Sequence, residues 1–324
     1  MEPAQMRSHI LTIFIAMLLI PIGTSVAQEN TCAGTSPPTG ESRETILVDD
    51  IERDYLQFVP SGYDGETPLP VVITMHGFTD TSQGIRDDSD FNTVAEANDF
   101  MVIYPQGLGF PPRWNNGLSQ FQREDDTRDV DFLRELVHKL TDTLCVDASR
   151  IYVAGFSAGG GMAHRAACEL SDLFAAAGTV SGAYSEIPGG CQPERPIAII
   201  TLHGTADPIV PYTGNDWLPD IGTWAREWAQ RNTCDLTPIE LESIEDISGI
   251  GYEGCADNVA VNFYSVEEGG HIWPGDTEAP ALLGKASEVS GSELLWHFFS
   301  QYALPSASES HRPTDPSTSI MANS

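Results

Sequence analysis

The sequence predicts an α/β fold in which a mostly parallel, doubly wound sheet carries helices on both faces. Three observations predict it. Short, almost continuously apolar segments recur along the chain, as expected of strands that are buried on both faces of a sheet. Amphipathic segments with helical spacing lie between them, and glycine, proline or polar turns close each connection. This alternation is typical of parallel sheets that are built from crossover units.

The elements follow from these patterns in chain order. Residues 44–60 alternate apolar and polar side chains, which indicates an antiparallel pair near a sheet edge. The central strands are predicted at the densest apolar runs, which are residues 70–75, 101–104, 151–154, 196–202 and 259–263. The helices are predicted where apolar residues recur at three- and four-residue steps, at residues 130–140, 162–170, 224–230 and 294–302.

Composition limits the partners that this protein can have. The chain has 324 residues, of which 41% are hydrophobic, so it can bury the core of one large domain. It carries 16 basic and 47 acidic residues, for a formal net charge of −31. A field of this sign repels nucleic acid and anionic lipid, so we expect neither nucleic acid nor a membrane as a partner.

The N-terminal segment predicts a secretory signal peptide. Arg7 precedes an apolar run at residues 10–20, and a proline, a glycine and the small residues 25–27 follow. That order is typical of a signal peptide that is cleaved after residue 27. The apolar run is shorter than the roughly 20 residues that a membrane span needs. We therefore expect a secreted protein, either extracellular or periplasmic.

The six cysteines indicate disulfides, because export takes the chain into an oxidising compartment. Cys234 and Cys255 flank one polar, loop-like stretch and are predicted to pair. The pairing of the other four stays open: Cys32, Cys145, Cys168 and Cys191. Their spacings contain no C-x-x-C and no zinc pattern, so we expect no metal.

Glycines crowd around one serine in the stretch GFSAGGG, residues 155–161. A predicted strand precedes this stretch and a predicted helix follows it, so Ser157 lies on a strand-to-helix turn. Such a turn needs small neighbours, because the backbone passes close to itself there. In this context G-x-S-x-G predicts a nucleophile elbow with Ser157 as the nucleophile. The alternative is a flexible loop that happens to contain a serine.

A serine nucleophile needs a base, and the base needs a carboxylate that holds its ring. Asp207 follows the strand at 196–202 on a loop with glycine and proline. His271 follows the next predicted strand and is flanked by glycines. The chain order Ser, Asp, His is that of the elbow motif. Asp207 as a turn cap is the alternative, and His203, which precedes the acid, is interpreted as a packed residue.

The reaction also needs two N–H donors for the oxyanion. The first is predicted to be the backbone of Ala158, directly after the nucleophile. The second is predicted to be the backbone of Phe78, because the stretch MHGF ends the strand at 70–75. His76 in this stretch is interpreted as structural.

These motifs together resemble those of the secreted poly(3-hydroxybutyrate) depolymerase/feruloyl esterase family of α/β-hydrolases; they are HGF at 76–78, GFSAGGG at 155–161, HGTAD at 203–207 and GHIWPG at 270–275. Residues 218–234 look like the feruloyl esterase branch. The resemblance implies an α/β-hydrolase fold and serine ester hydrolysis through an acyl-enzyme. It implies aromatic-acid, acetyl or hydroxyacid esters as substrates, with no cofactor and no metal.

The chain departs from part of this family, and the departures bear on the substrate. Depolymerases of solid polyester usually carry a linker and a polymer-binding domain, whereas a short polar tail follows Tyr302. Granule enzymes of the family often use cysteine where this chain has Ser157. We therefore expect a feruloyl- or acetyl-type esterase that acts on plant polysaccharide or small esters. The alternative is a polyester depolymerase; a peptidase or a non-catalytic binding protein on the same fold is less favoured.

Two tryptophans are candidates for the substrate cleft, namely Trp114 and Trp273 beside the predicted base. Ordinary packing is the alternative for both. The predicted organisation of the whole chain is a signal peptide at 1–27, an extended lead-in at 28–43, the α/β-hydrolase catalytic domain at 44–304 and a disordered tail at 305–324.

Overall fold

Ten strands form one sheet among the residues described by the computed structural model, which are Cys32, 38–117 and 128–305. In chain order they are β1 (Gly40–Val48), β2 (Ile51–Val59), β3 (Leu69–Met75), β4 (Met101–Pro105), β5 (Val146–Phe156), β6 (Ala176–Val180), β7 (Ala198–Gly204), β8 (Ile239–Ile244), β9 (Ile247–Tyr252) and β10 (Val261–Val266). The predicted signal peptide, most of the predicted lead-in and nearly all of the predicted tail lie outside the described residues.

The spatial order of the strands is β1-β2-β4-β3-β5-β6-β7-β10-β9-β8. The strands from β4 to β10 run parallel. Antiparallel pairs extend the sheet at both edges, through β2 and β1 on one side and β9 and β8 on the other. The mostly parallel sheet that the sequence predicts is confirmed. β1 begins at Gly40, inside the segment that was predicted as the lead-in.

Helices cover both faces of the sheet, as predicted. They are α1 (Ser82–Ser89), α2 (Phe91–Asn98), α3 (Arg128–Thr143), α4 (Ala158–Glu169), α5 (Ile221–Arg231) and α6 (Gly291–Phe299). α3 packs against α4, and α2 packs against α6. α6 lies so close to β6 that a Cβ on Gly178 would come within 2.6 Å of the Leu295 and Phe299 side chains.

The core lies around the middle of the sheet. Every residue of β3, β4, β6 and β7 is buried, because helices cover these strands on both sides. Since parallel strands share one orientation, the carboxyl ends of β3, β5, β7 and β10 meet at one edge. Loops that follow these ends are where an open α/β sheet carries its site.

The structure contains five elements that the sequence patterns did not predict, namely β6, α1, α2, β8 and β9. It also closes three disulfides, Cys32–Cys145, Cys168–Cys191 and Cys234–Cys255. Within the described part of the chain no cysteine is free. None of the helices in that part is long and apolar enough to cross a membrane.

Candidate active site

The turn between β5 and α4 holds Ser157 in a strained backbone conformation. Its φ is +54° and its ψ is −117°, a region that residues other than glycine rarely adopt. Neighbouring backbone holds it there. The Ser157 N–H donates to the Val180 carbonyl at 2.9 Å, and its carbonyl accepts from the Gly161 N–H at 3.0 Å. Such strain at a loop between a strand and a helix is typical of a functional residue.

The glycines around this serine are needed because backbone passes within contact distance of them. A Cβ on Gly155 would lie 2.2 Å from the Gly159 carbonyl oxygen. A Cβ on Gly159 would lie 2.2 Å from the Met75 carbonyl oxygen at the end of β3. Both distances are far shorter than any non-bonded contact. The crowding of glycines in the sequence therefore has a steric cause.

Asp207 and His271 meet at the same sheet edge. Asp207 follows β7 and His271 follows β10, and the His271 Nδ1–H donates to Asp207 Oδ2 at 2.7 Å. The other carboxylate oxygen accepts from the N–H groups of Ile209 and Val210, each at 2.8 Å. Burial alone would raise the pKa of Asp207, but the hydrogen bonds from His271 and the two backbone groups outweigh it and lower that pKa. The carboxylate is therefore ionised at neutral pH.

The hydrogen bond to Asp207 decides the tautomer of His271. Because Nδ1 carries the proton, Nε2 of the neutral ring holds the lone pair. The His271 backbone N–H donates to the Leu283 carbonyl at 2.7 Å, which anchors the loop. The imidazole centroid lies 4.8 Å from that of Phe156, the residue before Ser157. The histidine is thus held beside the serine turn with its basic nitrogen unused by Asp207.

Two other histidines at this edge are structural. His203 donates from Nε2 to the Val210 carbonyl at 2.9 Å, and burial lowers its pKa. His76 Nε2 accepts from the Gly107 N–H at 2.9 Å, and its Nδ1 lies 2.7 Å from the Gly77 carbonyl. Burial lowers the pKa of His76 to about 4, so its ring is neutral. The structure agrees with the interpretation of both as packed residues.

Ser157 opens into a cavity of about 290 Å³, which we call the ester cavity. Its walls are mainly apolar, and they are formed by Phe78, Arg113, Trp114, Asn116, Ser157, Ala158, Ala183, Ile209, Val210, Asn215, Trp217 and Leu218. The loop that carries Phe78 lies against the serine, since a Cβ on Gly77 would be 3.4 Å from the Ser157 Cβ. Phe78 and Ala158, the residues whose backbones are the predicted oxyanion donors, are both among the residues that line this cavity.

The two candidate tryptophans occupy different environments. Trp114 lines the ester cavity, and its Nε1–H donates to the His76 carbonyl at 2.9 Å. Trp273 is 1% exposed, packs against Phe91 and donates from Nε1 to Ser292 Oγ at 3.1 Å. The prediction that Trp273 lines the cleft is therefore wrong. Its position beside His271 in sequence does not bring it to the surface, because its ring points into the core.

The sequence patterns did not predict the part of the ester cavity wall that follows Asp207 in the chain. Ile209 is 55% exposed and Trp217 is 78% exposed, and both line the ester cavity. The sequence did contain a signal, because Trp217 is a large aromatic residue within the polar, turn-rich stretch 211–220. Sequence spacing alone did not indicate which way the loop folds.

One group among the described residues has the composition of a metal site, namely His164, Cys168 and Cys191. The two cysteines form a disulfide, so their sulfurs are not thiolate ligands. This group therefore does not fit a metal.

Comparison with known proteins identifies esterases among the relatives of this chain. The model of the Phospholipase/Carboxylesterase family matches residues 59–217. Feruloyl esterase B of Piromyces equi is 30% identical over 260 residues, a match that covers 76% of this chain and 44% of that protein. The probable feruloyl esterase C of Aspergillus oryzae is 26% identical over 274 residues, with 81% of this chain and 90% of that protein covered.

Among solved structures, the acetyl xylan esterase from Aspergillus awamori superposes with a TM-score of 0.58 at 17% identity. The match covers 80% of this chain and 99% of that one, and at this identity it supports the fold alone.

The fold and the relatives define the class of protein: this chain is an α/β-hydrolase, and within that class a carboxylic ester hydrolase. The match to the Phospholipase/Carboxylesterase model and the feruloyl esterase relatives support the family that its motifs resemble. The family and the fold that the sequence predicts are confirmed.

Proposed function

We propose that this protein is a secreted serine esterase that releases feruloyl or acetyl groups from plant polysaccharide or from small esters. Ser157 is the nucleophile, His271 the general base and Asp207 the carboxylate that orients it. The observation that carries the proposal is the 2.7 Å hydrogen bond between Asp207 and His271, held beside a strained serine turn.

The chemistry follows from these roles. Ser157 Oγ attacks the carbonyl carbon of the ester while its proton passes to His271 Nε2. The tetrahedral intermediate expels the alcohol, which takes that proton from the imidazolium and leaves the acyl group on Ser157. Water then attacks the acyl carbon and gives a proton to His271, and the new tetrahedral intermediate breaks its bond to Ser157 Oγ. Ser157 Oγ takes the proton back from the imidazolium, and the carboxylic acid is released. The Asp207 carboxylate stabilises the imidazolium in both halves of the reaction.

The developing oxyanion is stabilised by the backbone N–H groups of Phe78 and Ala158. Ala158 is the first residue of α4, so its N–H has no acceptor within the helix and points out of the helix N-terminus. The positive end of the helix dipole adds to this stabilisation.

The shape and lining of the ester cavity support an aromatic or acetyl acyl group. Ile209 and Trp217 offer exposed apolar side chains, and Trp114, which is 2% exposed, forms part of the wall. A flat aromatic acid buries its ring against such walls, and an acetyl group also fits.

A second candidate function is hydrolysis of a polyester. It is favoured by the exposed apolar side chains around the ester cavity, because a solid polyester needs apolar contact at the mouth of the site. Phe78 is 43%, Ile209 55% and Trp217 78% exposed.

The role of the serine is tested by labelling with a fluorophosphonate and mapping the modified peptide by mass spectrometry. We expect one adduct, on Ser157, and none in Ser157→Ala. Labelling at another serine, or no labelling of a folded protein, would contradict the proposal and favour a non-catalytic protein.

The substrate is tested with a panel of methyl ferulate, acetylated xylan, short nitrophenyl esters, the amide that corresponds to the best ester, and polyhydroxybutyrate film. We expect feruloyl or acetyl esters to have far higher kcat/KM than the amide or the film. Efficient clearing of the film with negligible cleavage of methyl ferulate would make the polyester the substrate, and preferred amide cleavage would indicate a peptidase.

Secretion is supported by the three disulfides, since such bonds persist in oxidising compartments. Expression of the full chain with N-terminal sequencing of the exported product tests it. We expect the mature protein to begin at Gln28 and to contain no free thiol.

A further inference from the structure

A second, larger cavity of about 640 Å³ adjoins the ester cavity, and we call it the outer cavity. Three residues line both cavities, namely Asn215, Trp217 and Leu218. The rest of its wall comes from residues 184–191, from Asp216 and Pro219, from His164 in α4 and from α5. A substrate that reaches Ser157 with its ester group can therefore extend past Trp217 into the outer cavity.

Three residues that line the outer cavity each hold a buried polar atom with no hydrogen-bond partner among the described residues. These atoms are Trp224 Nε1, Ser185 Oγ and one guanidinium nitrogen of Arg231. Trp224 is 3% exposed and Ser185 is 8% exposed. A buried polar group without a partner costs free energy, so folded proteins keep few of them. Their concentration in residues beside one cavity singles out this wall as a candidate polar contact surface.

The position of Trp224 is fixed independently of any ligand. Its ring stacks on Tyr184 with centroids 3.7 Å apart and planes 7° apart. Tyr184 is held in turn by Thr179 and Thr201, whose hydroxyls lie 2.5 Å and 2.9 Å from its own. The indole ring of Trp224 is thus a rigid part of the wall of the outer cavity.

Trp217 is also presented by a fixed turn. The backbone N–H groups of Trp217 and Leu218 donate to Asn215 Oδ1 at 2.8 Å and 3.0 Å, and the Asn215 N–H donates to the Leu218 carbonyl at 2.9 Å. The indole nevertheless stays 78% exposed. An exposed aromatic face on a fixed backbone turn between two cavities can bind a ligand without the cost of ordering the backbone.

The charges of the outer cavity select the class of ligand. Carboxylates of Glu186, Asp216 and Glu227 accept hydrogen bonds, whereas Trp224 and Arg231 donate them. Arg231, the one cation among the described residues of this wall, is already paired, because it lies 3.2 Å from Glu227. An anion would meet mainly carboxylates, and an apolar ligand would leave the buried groups unsatisfied. A neutral ligand with many hydroxyls, each both donor and acceptor, fits all of them.

We propose that the outer cavity binds a neutral oligosaccharide, with Trp217 packing against one sugar face and the sugar that carries the ester placed towards Ser157. A sugar ring offers an apolar C–H face to an indole and hydroxyls at its rim to Trp224 and Ser185. The inference rests on the proposed function, because it supplies the alcohol side of a polysaccharide ester.

Binding is tested without catalysis, by titrating Ser157→Ala protein with xylotetraose in a calorimeter. We expect saturable binding, and a loss of affinity of at least about tenfold when Trp217→Ala is added. Phe110→Ala is the matched control, since Phe110 is 97% exposed and lines neither cavity. Absence of binding to xylotetraose, cellotetraose and maltotetraose, or tighter binding of tetragalacturonate than of every neutral sugar, would overturn the proposal.

Ser185→Ala separates a binding role from a structural one. Removing an unpartnered hydroxyl leaves the melting temperature unchanged or raises it, because no hydrogen bond within the protein is lost. We expect affinity for the oligosaccharide to fall about threefold to tenfold at the same time. Unchanged affinity in both Ser185→Ala and Trp217→Ala would overturn the proposal.

The two proposals fail differently. If wild-type protein binds the oligosaccharide but cleaves neither methyl ferulate nor nitrophenyl acetate, the proposed function is wrong and the outer cavity is still a sugar site. If it cleaves these esters, binds no oligosaccharide and hydrolyses a feruloylated xylo-oligosaccharide no faster than methyl ferulate, the outer cavity inference is wrong and the esterase remains.

Discussion

The turn around Ser157 and the loop after β7 stand at the same sheet edge, yet they are built in opposite ways. Around the serine, backbone approaches so closely that Gly155 and Gly159 have no room for a side chain. In the loop, the backbone closes on itself through Asn215 and sends Ile209 and Trp217 outward. The comparison teaches that the proposed chemistry depends on exclusion of side chains, whereas the choice of substrate depends on side chains that project.

The largest expected effect comes from removing the proposed reacting groups. Ser157→Ala, Asp207→Asn and His271→Ala should each lower kcat by about 10⁴-fold, because each breaks the same proton transfer. Circular dichroism and thermal melting serve as the folding control. Near-full activity of a folded Asp207→Asn protein would mean that another group orients the histidine.

The steric account of the turn is tested by Gly159→Ala. The added Cβ would lie 2.2 Å from the Met75 carbonyl, so β3 or the turn must move. We expect the free energy of unfolding to fall by about 3 kcal/mol or more and most activity to be lost.

Gly222→Ala is the matched control, because this glycine lies in α5 and its Cβ would come no closer than 3.4 Å to the Asp220 side chain. Unfolding in urea should show this variant to be at least as stable as the wild type. Equal stability of both variants would contradict the steric account.

The pH dependence of stability tests the buried helix α4, which follows the Ser157 turn. Burial, with a smaller contribution from Arg231, lowers the pKa of His164 in α4 to about 3. The unfolded chain therefore binds a proton below about pH 6.5 that the folded chain does not bind. The free energy of unfolding should fall as pH drops from 6.5, by up to about 1.4 kcal/mol per pH unit from this histidine.

The measurement is urea unfolding of wild type and His164→Phe at pH 8, 7, 6 and 5. We expect the variant to show a smaller slope below pH 6.5, whatever its stability at pH 8. The lowered pKa of Asp207 acts in the same direction at lower pH, since the stability that this carboxylate contributes is lost as it becomes protonated. Identical slopes in both proteins would show that His164 does not titrate differently in the two states.

The smallest effect is expected in the loop. Ile209→Ala removes an apolar side chain from the wall of the ester cavity, so KM for methyl ferulate should rise about threefold to tenfold with a smaller change in kcat. Stability should stay the same because the side chain is 55% exposed. Leu282→Ala is the control, since Leu282 is 79% exposed and lines neither cavity.

Local sequence patterns predicted the central strands because burial on both faces demands apolar runs. They missed β6, whose sequence AAGTV is too small in side-chain volume to be recognised. The reason lies in packing, since Gly178 must be small where α6 crosses. α1 and α2 have only 8 residues each, and β8 is largely exposed, so none of them carries a strong periodic signal.

The residues of the candidate site also fall into a group that the sequence predicts and a group that it does not predict. Ser157, Asp207 and His271 could be singled out because each follows a predicted strand and their chain order is informative. Trp273 was misplaced because sequence proximity to His271 does not tell which way a ring points. The outer cavity could not be predicted at all, since its walls come from stretches that are separate in sequence, namely residues 184–191, residues 215–219, α4 and α5.

The self-contained loop at residues 211–218 has a consequence for how this scaffold can be altered. The hydrogen bonds that hold the Asp207 carboxylate come from Ile209, Val210 and His271, all outside that segment. The segment is tied to the sheet chiefly through Tyr212, whose hydroxyl lies 2.6 Å from Ser265 Oγ. Insertions or grafts between these anchors can therefore reshape both cavities while the acid–base pair keeps its geometry. Changes in this segment can therefore alter substrate preference, in evolution or in laboratory selection, while the proposed catalytic residues stay the same.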